Sequence, residues 1–455
     1  MRSHIVRTML SQRVGRCYHR VSPLGNLDLN HQELIPFIER FANAKVLCVG
    51  DVMLDHFIYG DVNRISPEAP IPVVRVHHER SMLGGAGNVV RNLSSLGAQA
   101  VLLTVVGADG AAALIAEELS ALPNCALHTV ADQDRKTSVK TRYISGSQQL
   151  LRVDIESTHS IADEILTQLL AQFEKLAPAC DVVILSDYAK GVLNDNRAER
   201  FIAAANKSGK PVFVDPKGRS FSRYQGASLV KPNLQELAEG TNLPVTTESE
   251  VEAAALSVMK QHRIGAVLVT RGALGMMLVR PDSAPVSLPA VAREIFDVSG
   301  AGDTVAATFA AGVAMGMSMP DAMRVANVAA GIVVAKVGTA TTSQEELLSE
   351  LEIGDALATD TRVVSLEEAV QRVRLWRRLH LRVGLARCSF ESIDAAAISF
   401  LQQARQQCDR LIVATASTGT QPLLLASMVY VDLVIAGSHT NEALVSQLKP
   451  DYSVV

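Results

Sequence analysis

Short apolar runs alternate with longer amphipathic segments along much of the chain. From residue 181 onward, the runs DVVILSD, PVFVD, ASLVKPN and GAVLVTRG predict buried strands, and helices are expected near 194–207 and over 234–260. Regular alternation of strands and helices is typical of a parallel sheet covered by helices on both faces. The pattern therefore predicts an α/β fold.

The first half of the chain predicts one more strand of this sheet and a separate small sheet. The apolar run AKVLCVGDVMLD would bring Asp51 and Asp55 to the carboxyl end of the first strand, where open α/β sheets bind ligands. The pieces FIYGDV and PVVRVHH, with prolines between them, and the later hairpin KTSVKTRYISGSQQLLRVD indicate a lid sheet. A helix is predicted over 83–97, where glycines precede apolar residues at helical spacing.

Four of the predicted strands end in pairs of polar residues. The pairs are Ser186 and Asp187, Asp215 and Lys217, Lys231 and Asn233, and Thr270 and Arg271. Each pair alone is explained by an ordinary turn or helix cap. Together they mark the edge of the sheet where α/β proteins bind ligands, so we expect a site there.

The segment DVSGAGDT at 297–304 leads directly into the apolar stretch VAATFAAGVAMG and predicts a glycine-rich turn that begins a helix. A helix start offers unpaired N–H groups, and the small residues Gly300, Ala301 and Gly302 would let a phosphate come close to them. Asp303 would then lie beside the phosphate and accept the proton of an attacking hydroxyl. The motif alone is also compatible with an ordinary helix cap.

Composition and charge narrow the class of function. The chain has 455 residues, of which 48% are hydrophobic, enough for two domains and a tail. A net charge of −4 with scattered charges argues against a nucleic-acid partner, and no apolar stretch is long enough to span a bilayer. The six cysteines include no C-x-x-C pair, which favours reduced thiols. We therefore expect small-molecule chemistry in the cytoplasm, with no membrane partner.

The N-terminal segment is unusual in its charge. Residues 1–27 contain five arginines and no acidic residue, a composition shared with organelle transit peptides. A disordered extension is a second interpretation, and a start codon assigned too early, with Met9 as the alternative start, is a third. We expect residues 1–30 to form a disordered basic extension without a chemical role.

Seven short motifs follow one another in a fixed order. They are GDVMLD at 50–55, RISPEAPIPVV at 64–74, GGAGNV at 84–89, SDYAKG at 186–191, DPKG at 215–218, KPNLQE at 231–236 and DVSGAGDT at 297–304. This order resembles the ribokinase-type (PfkB) sugar kinases and, more closely, the bifunctional heptose 7-phosphate kinases / heptose 1-phosphate adenylyltransferases of ADP-heptose and lipopolysaccharide core synthesis. The resemblance implies a ribokinase-like sandwich with a small β lid at 31–351, a linker at 352–363 and a smaller Rossmann-like, nucleotidyltransferase-type domain at 364–455.

The resemblance also implies ATP and Mg²⁺ as cofactors and assigns roles to individual residues. Asp303 would be the general base, with the amides of Ala301 and Gly302 as an anion hole, and Gly300 is counted among the catalytic residues with them. Residues implied at the nucleotide and its metal ion are Asn233, Leu234, Gln235, Glu236, Thr270, Arg271, Gly272, Asn327, Ala330 and Gly331, with Glu236 as the metal ligand. Residues implied at the sugar phosphate are Asp55, Gly84, Gly85, Asn88, Lys140, Arg142, Arg152, Asp187 and Lys190. For the four cations of this second set, a solvated surface role stays open.

The reaction implied is phosphorylation of D-glycero-D-manno-heptose 7-phosphate at its anomeric hydroxyl, by a homodimer. A kinase for another sugar phosphate is one alternative, because lid residues are less diagnostic than the nucleotide motifs. A sugar or nucleotide sensor that keeps the fold without turnover is another. The intact Asp303 argues against the sensor, because a protein freed from turnover could lose that carboxylate with little effect on the fold.

The C-terminal unit departs from the family pattern. Adenylyltransferases of this type carry Gly-Cys-Phe-Asp followed by His-x-Gly-His, whereas the matching residues here are CSFE at 388–391 and DAAA at 394–397. Both histidines are replaced, Asp394 would oppose phosphate charge, a basic segment is missing after DRLIVATAS, and the chain ends soon afterwards. We expect a truncated, degenerate domain that has lost the second activity and keeps its fold for packing or dimerisation. An unrecognised activity is the alternative.

Overall fold

The computed structural model describes residues 33–146, 148–291, 296–336, 338–358, 362–378, 381–388, 394–417 and 419–454. The predicted extension at 1–30 and residues 389–393 of the C-terminal motif lie outside this part of the chain. The strands are β1 (Lys45–Gly50), β2 (Val52–Ile65), β3 (Pro72–Gly85), β4 (Gln99–Gly107), β5 (Cys125–Asp132), β6 (Ser138–Ser145), β7 (Gln148–Ile155), β8 (Val182–Ser186), β9 (Val212–Asp215), β10 (Leu229–Val230), β11 (Val267–Thr270), β12 (Met276–Val279), β13 (Val286–Leu288), β14 (Val363–Val364), β15 (Val383–Cys388), β16 (Arg410–Thr415), β17 (Leu433–Ala436) and β18 (Tyr452–Val454). The helices are α1 (Ile35–Ile38), α2 (Ala86–Ser95), α3 (Gly110–Ser120), α4 (Asp163–Leu176), α5 (Arg197–Lys207), α6 (Leu234–Thr241), α7 (Glu248–His262), α8 (Ala301–Ala314), α9 (Met319–Val334), α10 (Gln344–Ala358), α11 (Leu366–Arg378), α12 (Ala395–Gln406), α13 (Gln421–Ala426) and α14 (Asn441–Leu448).

β1 is an interior strand of the principal sheet and is buried on both faces. Within the described ranges this sheet has nine strands in the order β13-β12-β11-β10-β9-β8-β1-β4-β5. The strands from β11 to β5 are parallel, and β12 and β13 run antiparallel. Val46 and Cys48 of β1 pack into one apolar core, and Leu47 and Val49 pack into the other. A strand covered on both faces requires this continuous apolar run, which is why the sequence pattern predicts it.

Helices cover both faces of the principal sheet. Residues of α2, α3, α8, α9 and α10 belong to the first core, and residues of α4, α5, α6 and α7 belong to the second. α8 is apolar on nearly all sides and is buried from Asp303 to Gly312. The arrangement confirms the predicted α/β sandwich.

A separate four-stranded sheet, in the order β3-β2-β6-β7, forms the predicted lid. The prediction that Asp55 ends the first strand is wrong, because the chain leaves the principal sheet at Asp51 and continues in β2 of the lid. The helix predicted over 83–97 begins only at Ala86, since the preceding glycines belong to β3.

Three further boundaries differ from the predictions. The helix predicted over 234–260 is two helices, because Asn242 ends α6 in the left-handed conformation and Thr247 caps a new helix, α7. The helix predicted near 194–207 begins at Arg197. The first part of the predicted linker at 352–363 is helical, since α10 continues to Ala358.

The C-terminal residues form a smaller α/β unit with its own parallel sheet. In the described residues the strand order is β14-β17-β16-β15-β18, and apolar cores lie on both faces of this sheet. This confirms the smaller α/β domain that the sequence predicts. None of the helices described has the length and apolar character needed to cross a bilayer.

Candidate active site

A cavity of about 490 Å³ lies along the carboxyl edge of the principal sheet. The ends of β9, β10 and β11 contribute to its walls, together with the starts of α6 and α8 and one side of α9. The polar strand ends singled out in the sequence therefore meet at one place. Among the residues that line the cavity are Tyr188, Asp215, Lys217, Lys231, Asn233, Glu236, Thr270, Gly272, Gly300, Ala301, Gly302, Asp303, Asn327, Ala330 and Gly331.

Asp303 lies in the first turn of α8, and only 5% of the residue is exposed. Both carboxylate oxygens accept hydrogen bonds: Asn88 Nδ2 donates to Oδ2 at 2.7 Å, and the Tyr188 hydroxyl donates to Oδ1 at 2.8 Å. Gly300 precedes the helix with φ +81°, and a Cβ atom at this position would lie 2.8 Å from Asn88 Nδ2. Glycine is required at position 300 both for the turn and for the space that Asn88 occupies.

The pKa of Asp303 suits a general base. Burial raises the pKa to about 6, and the charge of Asp215 acts in the same direction. The hydrogen bonds from Asn88 and Tyr188 and the charge of Lys231 act in the opposite direction. Because this pKa lies below neutrality, the carboxylate is mostly ionised at pH 7 and able to accept a proton.

The start of α8 presents backbone N–H groups beside Asp303. The Ala301 amide donates to the Val298 carbonyl oxygen at 3.3 Å, whereas the amides of Gly302 and Asp303 have no backbone acceptor among the residues described. Lys231 is close by, since a Cβ atom on Gly302 would lie 3.3 Å from its Nζ. An anion at this point would interact with both the helix start and an ammonium group.

Two ion pairs line the cavity next to this helix start. Lys231 Nζ lies 2.9 Å from Asp215 Oδ1, and Lys217 Nζ lies 3.1 Å from Glu236 Oε1. Burial lowers the pKa of Lys231, but the charge and hydrogen bond of Asp215, together with the charges of Asp303 and Glu236, exceed this effect, so the pKa is raised. Glu236 also forms a capping box with Asn233, with N–H to oxygen distances of 2.8 and 3.0 Å. The capping box fixes both side chains at the start of α6.

The loop after β8 is organised by one buried carboxylate. Asp51 accepts the backbone N–H groups of Tyr188 at 2.9 Å, Lys190 at 3.0 Å and Val192 at 3.0 Å. Ala189 adopts φ +54°, a turn that allows these amides to converge on one carboxylate. Asp51, which the sequence predicts at the end of β1, therefore fixes the position of Tyr188.

The cavity also contains five residues predicted at the nucleotide, together with apolar side chains. The predicted residues are Thr270, Gly272, Asn327, Ala330 and Gly331, and apolar surface comes from Ala273, Ala290, Val291, Val298 and Val334. Asn327 is fixed by a hydrogen bond from Nδ2 to the Pro289 carbonyl oxygen at 2.8 Å. A flat apolar base would be buried here.

Three residues predicted at the nucleotide do not line this cavity. The Arg271 guanidinium donates to Glu248 at 2.7 Å and to the Leu274 carbonyl oxygen at 3.1 Å, so it supports a turn of the wall. Leu234 packs against the second core, and Gln235 donates to Glu239 at 2.7 Å. Adjacent residues along a helix or strand point in different directions, so these three side chains miss the cavity although their sequence neighbours line it.

The lid brings several of the residues predicted at the sugar phosphate onto one face. Strand pairing puts Lys140 beside Asp55 in β2 and opposite Asp154 in β7, and puts Arg142 opposite Arg152. Arg142 pairs with Asp55 at 2.6 Å, and Arg152 pairs with Asp154 at 2.9 Å. Like charges directly opposite each other are unfavourable in a sheet unless anions lie between them.

The remaining predicted residues differ in their surroundings. Lys190 pairs with Glu156 at 2.8 Å. Burial lowers the pKa of Lys140, and the nearby charges of Lys190 and Arg152 add to the effect. Asp187 lines the cavity, but its carboxylate is fully buried and bound by Tyr224 and Arg223, so it supports the loop.

Sequence reasoning gave no role to Tyr188, although it lines the cavity and contacts Asp303. The only signal for it was its place in the motif SDYAKG, between two residues that were assigned. The phenol emerges only when strands distant in sequence are brought together. Lys217 and Lys231 were already marked as polar strand ends, and the structure adds their partners, Glu236 and Asp215.

A phosphate-sized anion site at a helix start, a buried carboxylate beside it and a β lid define a kinase of small hydroxylated molecules. The chain belongs to the pfkB family of carbohydrate kinases, whose model matches residues 43–346. It is therefore a sugar kinase. It is 43% identical to the bifunctional protein HldE of Rhodospirillum rubrum, over 92% of this chain and 88% of the relative. Identity to the bifunctional protein HldE of Caulobacter sp. (strain K31) is 45%, over 91% of this chain and 88% of the relative.

Solved structures share the fold of the kinase part. Arabidopsis thaliana ribokinase, solved with ribose and ATP, superposes with a TM-score of 0.54 at 20% identity and covers 68% of this chain and 98% of its own. Phosphofructokinase-2 of Escherichia coli, solved with potassium, superposes with a TM-score of 0.58 at 20% identity and covers the same shares of the two chains. These similarities confirm the ribokinase-like fold that the motifs implied.

A methyl group at position 300 tests the packing around Asp303. We expect Gly300→Ala to reduce sugar-kinase turnover at least about tenfold, because the new Cβ displaces Asn88 from the carboxylate. Gly316→Ala is the matched control, since φ is +88° and no atom lies within 4 Å of its Cβ position. Both variants should lose about 1 kcal/mol of stability from the left-handed backbone. Steady-state kinetics with equal activity in the two variants would refute the packing argument.

Proposed function

We propose that this chain transfers the γ-phosphoryl group of ATP to the anomeric hydroxyl of D-glycero-D-manno-heptose 7-phosphate, giving heptose 1,7-bisphosphate for ADP-heptose and lipopolysaccharide core synthesis. The acceptor oxygen bonds to the γ-phosphorus as the bond from that phosphorus to the β–γ bridging oxygen breaks. ADP leaves, and the hydroxyl proton passes to Asp303. The cytoplasm, where ATP is available, is the proposed location.

The observation that carries the proposal is the position of the Asp303 carboxylate at the start of α8. A proton acceptor there lies beside free amides and the Lys231 ammonium group, which would stabilise charge on the phosphoryl oxygens.

The oxygen atoms at the start of α6 would hold a magnesium ion through its water molecules, since each already accepts a contact from Lys217 or from the capping box. Glu236 and Asn233 line the cavity and offer the hard oxygen donors that Mg²⁺ prefers. The described residues hold no ready-made cluster of three or more metal-binding side chains. Water and the phosphates of ATP would therefore supply most of the ligands, as is usual for this ion. The ion would neutralise phosphate charge, while Glu236 and Asn233 orient its waters.

The lid supports a phosphorylated sugar as the acceptor. Lys140, Arg142 and Arg152 lie on the face that carries Asp55, and Lys190 is near Lys140. Lys140 forms no ion pair among the residues described, so its ammonium group is free for an anion. A sugar phosphate would relieve the repulsion of these cations while Asp55 accepts from a sugar hydroxyl.

Asp303→Asn tests the base. We expect ATP binding to persist and turnover to fall by about 10² to 10⁴, the usual range for loss of a general base. Asp321→Asn is the matched control, because Asp321 occupies the first turn of the next helix, α9, outside the cavity. Coupled ADP release and ATP binding by calorimetry are the measurements. Turnover of Asp303→Asn near that of the control would exclude the assigned role.

We further propose that residues 364–455 form a separate domain that has lost adenylyl transfer. Asp394 caps α12, and its carboxylate accepts the Ala397 N–H at 2.9 Å. A phosphate at this helix start would meet a negative charge and an N–H group that is already bound. The relatives are named bifunctional, so this proposal sets the chain apart from them.

A two-step assay tests this proposal together with the substrate. Purified protein with Mg²⁺-ATP and heptose 7-phosphate should release ADP, and heptose 1-phosphate with ATP should release no pyrophosphate. Pyrophosphate would refute the loss of the second activity. If ADP is released only when a different sugar phosphate is supplied, that compound replaces heptose 7-phosphate as the proposed substrate. If neither step gives a product, the result favours a sensor.

We also propose a homodimer joined through the lid. The edge strand β7 exposes Leu151, Val153 and Ile155 at alternate positions, on the face away from its charged residues. Such a row of apolar side chains on an edge strand favours pairing with a second copy.

Sedimentation velocity tests the dimer. We expect the double variant Leu151→Lys and Val153→Lys to be monomeric at micromolar concentration, because two charges would enter an apolar contact. Leu256→Lys, at an exposed position of α7, is the control and should remain dimeric. A monomeric unmodified protein would refute the proposal outright.

A further inference from the structure

Tyr188 connects the base to the lid. Its hydroxyl donates to Asp303 Oδ1 at 2.8 Å, and its backbone N–H donates to Asp51. The ring lies against the end of β3, where a Cβ atom on Gly85 would be 3.5 Å from the ring Cδ2 atom. Burial raises the pKa of the Tyr188 hydroxyl, and the charges of Asp303 and Asp55 add to the effect, so the phenol remains a donor.

The Tyr188 hydroxyl acts on the Asp303 carboxylate in a way that the aromatic ring alone cannot. Asn88 holds Oδ2 of Asp303, and the bond from Tyr188 to Oδ1 prevents the carboxylate from rotating about that first contact. A bond from a neutral donor to a buried carboxylate also favours its ionised form. Phenylalanine would fill the same volume, so packing alone does not require the hydroxyl.

We infer that Tyr188 is a positioning residue for phosphoryl transfer, whose hydroxyl orients the Asp303 carboxylate and keeps it ready to accept the acceptor's proton. The inference rests on the proposed role of Asp303 as the base. Tyr188 acts through Asp303, and it approaches the lid at the end of the sheet where the sugar hydroxyl would enter.

Other charged and titratable groups also act on this carboxylate. Asp215 opposes its ionisation and Lys231 favours it, while Cys48 in β1 and Arg91 in α2 interact with its charge. Asp55 acts on Tyr188 itself. A change that removes only the phenol oxygen leaves all of these groups in place.

The test is the pH dependence of kcat/KM for the full-length protein and for Tyr188→Phe, with Mg²⁺-ATP and heptose 7-phosphate. The base works when ionised, so kcat/KM falls as the pH drops through the pKa of Asp303 in the free enzyme. Loss of the donor raises that pKa, and the acid limb should move up by about one pH unit. The variant should be about fivefold slower at pH 6, the difference should approach tenfold below pH 5, and the two proteins should converge above pH 8. Ionisation of the substrate affects both pH profiles equally, so it does not contribute to the difference between the two proteins.

Two further proteins isolate the effect. Tyr224→Phe removes another buried phenol, which donates to Asp187 at 2.7 Å, and its acid limb should stay in place. Incorporation of 3-fluorotyrosine at position 188 keeps the ring and strengthens the donor, so the limb should move to lower pH. This second change at 188 preserves the test if Tyr188→Phe does not fold.

The outcomes separate the inference from the proposed function. Opposite shifts for the two changes at 188 support the inference. If neither change moves the acid limb, or if activity falls equally at every pH, the role of Tyr188 is overturned. The role of Asp303 as the base still stands in that case, provided that Asp303→Asn is inactive. An active Asp303→Asn overturns the base itself.

Discussion

The burial of the Asp303 carboxylate constrains the rest of the active site. A carboxylate with so little exposure stays ionised near neutrality only when donors reach its oxygens. Asn88 reaches it from α2 and Tyr188 reaches it from the loop after β8, so these segments must meet within hydrogen-bond distance. Gly300 provides the space for one donor, and Asp51 fixes the loop that carries the other. The polar contacts of one side chain thereby connect α2 and α8, which share the first core, with the loop after β8, whose Tyr188 ring lies beside the end of β3 in the lid.

The principal sheet could be predicted because its strands are apolar on both faces. The hydrophobic pattern does not show, however, where the chain passes from one sheet to another. The run AKVLCVGDVMLD continues through Asp51 without a break in its pattern, although the chain moves there from the principal sheet into the lid. Asp55 was therefore assigned to the wrong sheet. The end of α6 was missed although the sequence carries signals for it: Pro244 follows Asn242, and Thr247 with Glu250 forms a capping box at the start of α7.

Positions in the site could be predicted more reliably than side-chain directions. Thr270 and Arg271 are neighbours at the end of β11, yet Thr270 lines the cavity and Arg271 bonds to Glu248 behind it. Alternation along a strand separates them, and the sequence alone does not say which of the two faces the ligand. Tyr188 could not be predicted at all, because its partner Asp303 is more than a hundred residues away.

Two helix starts in this chain satisfy their N–H groups in different ways. Gly300 has no side chain to cap α8, so the amides and the dipole of that helix remain available to a phosphate. Asp394 caps α12 with its own carboxylate, which stabilises the helix by about 1 kcal/mol and places a fixed negative charge where a phosphate would lie. A helix capped in this way is stable without a ligand and poor at binding an anion. The proposed loss of adenylyl transfer rests on this exchange, because a domain kept for its fold alone needs no anion site at the start of α12.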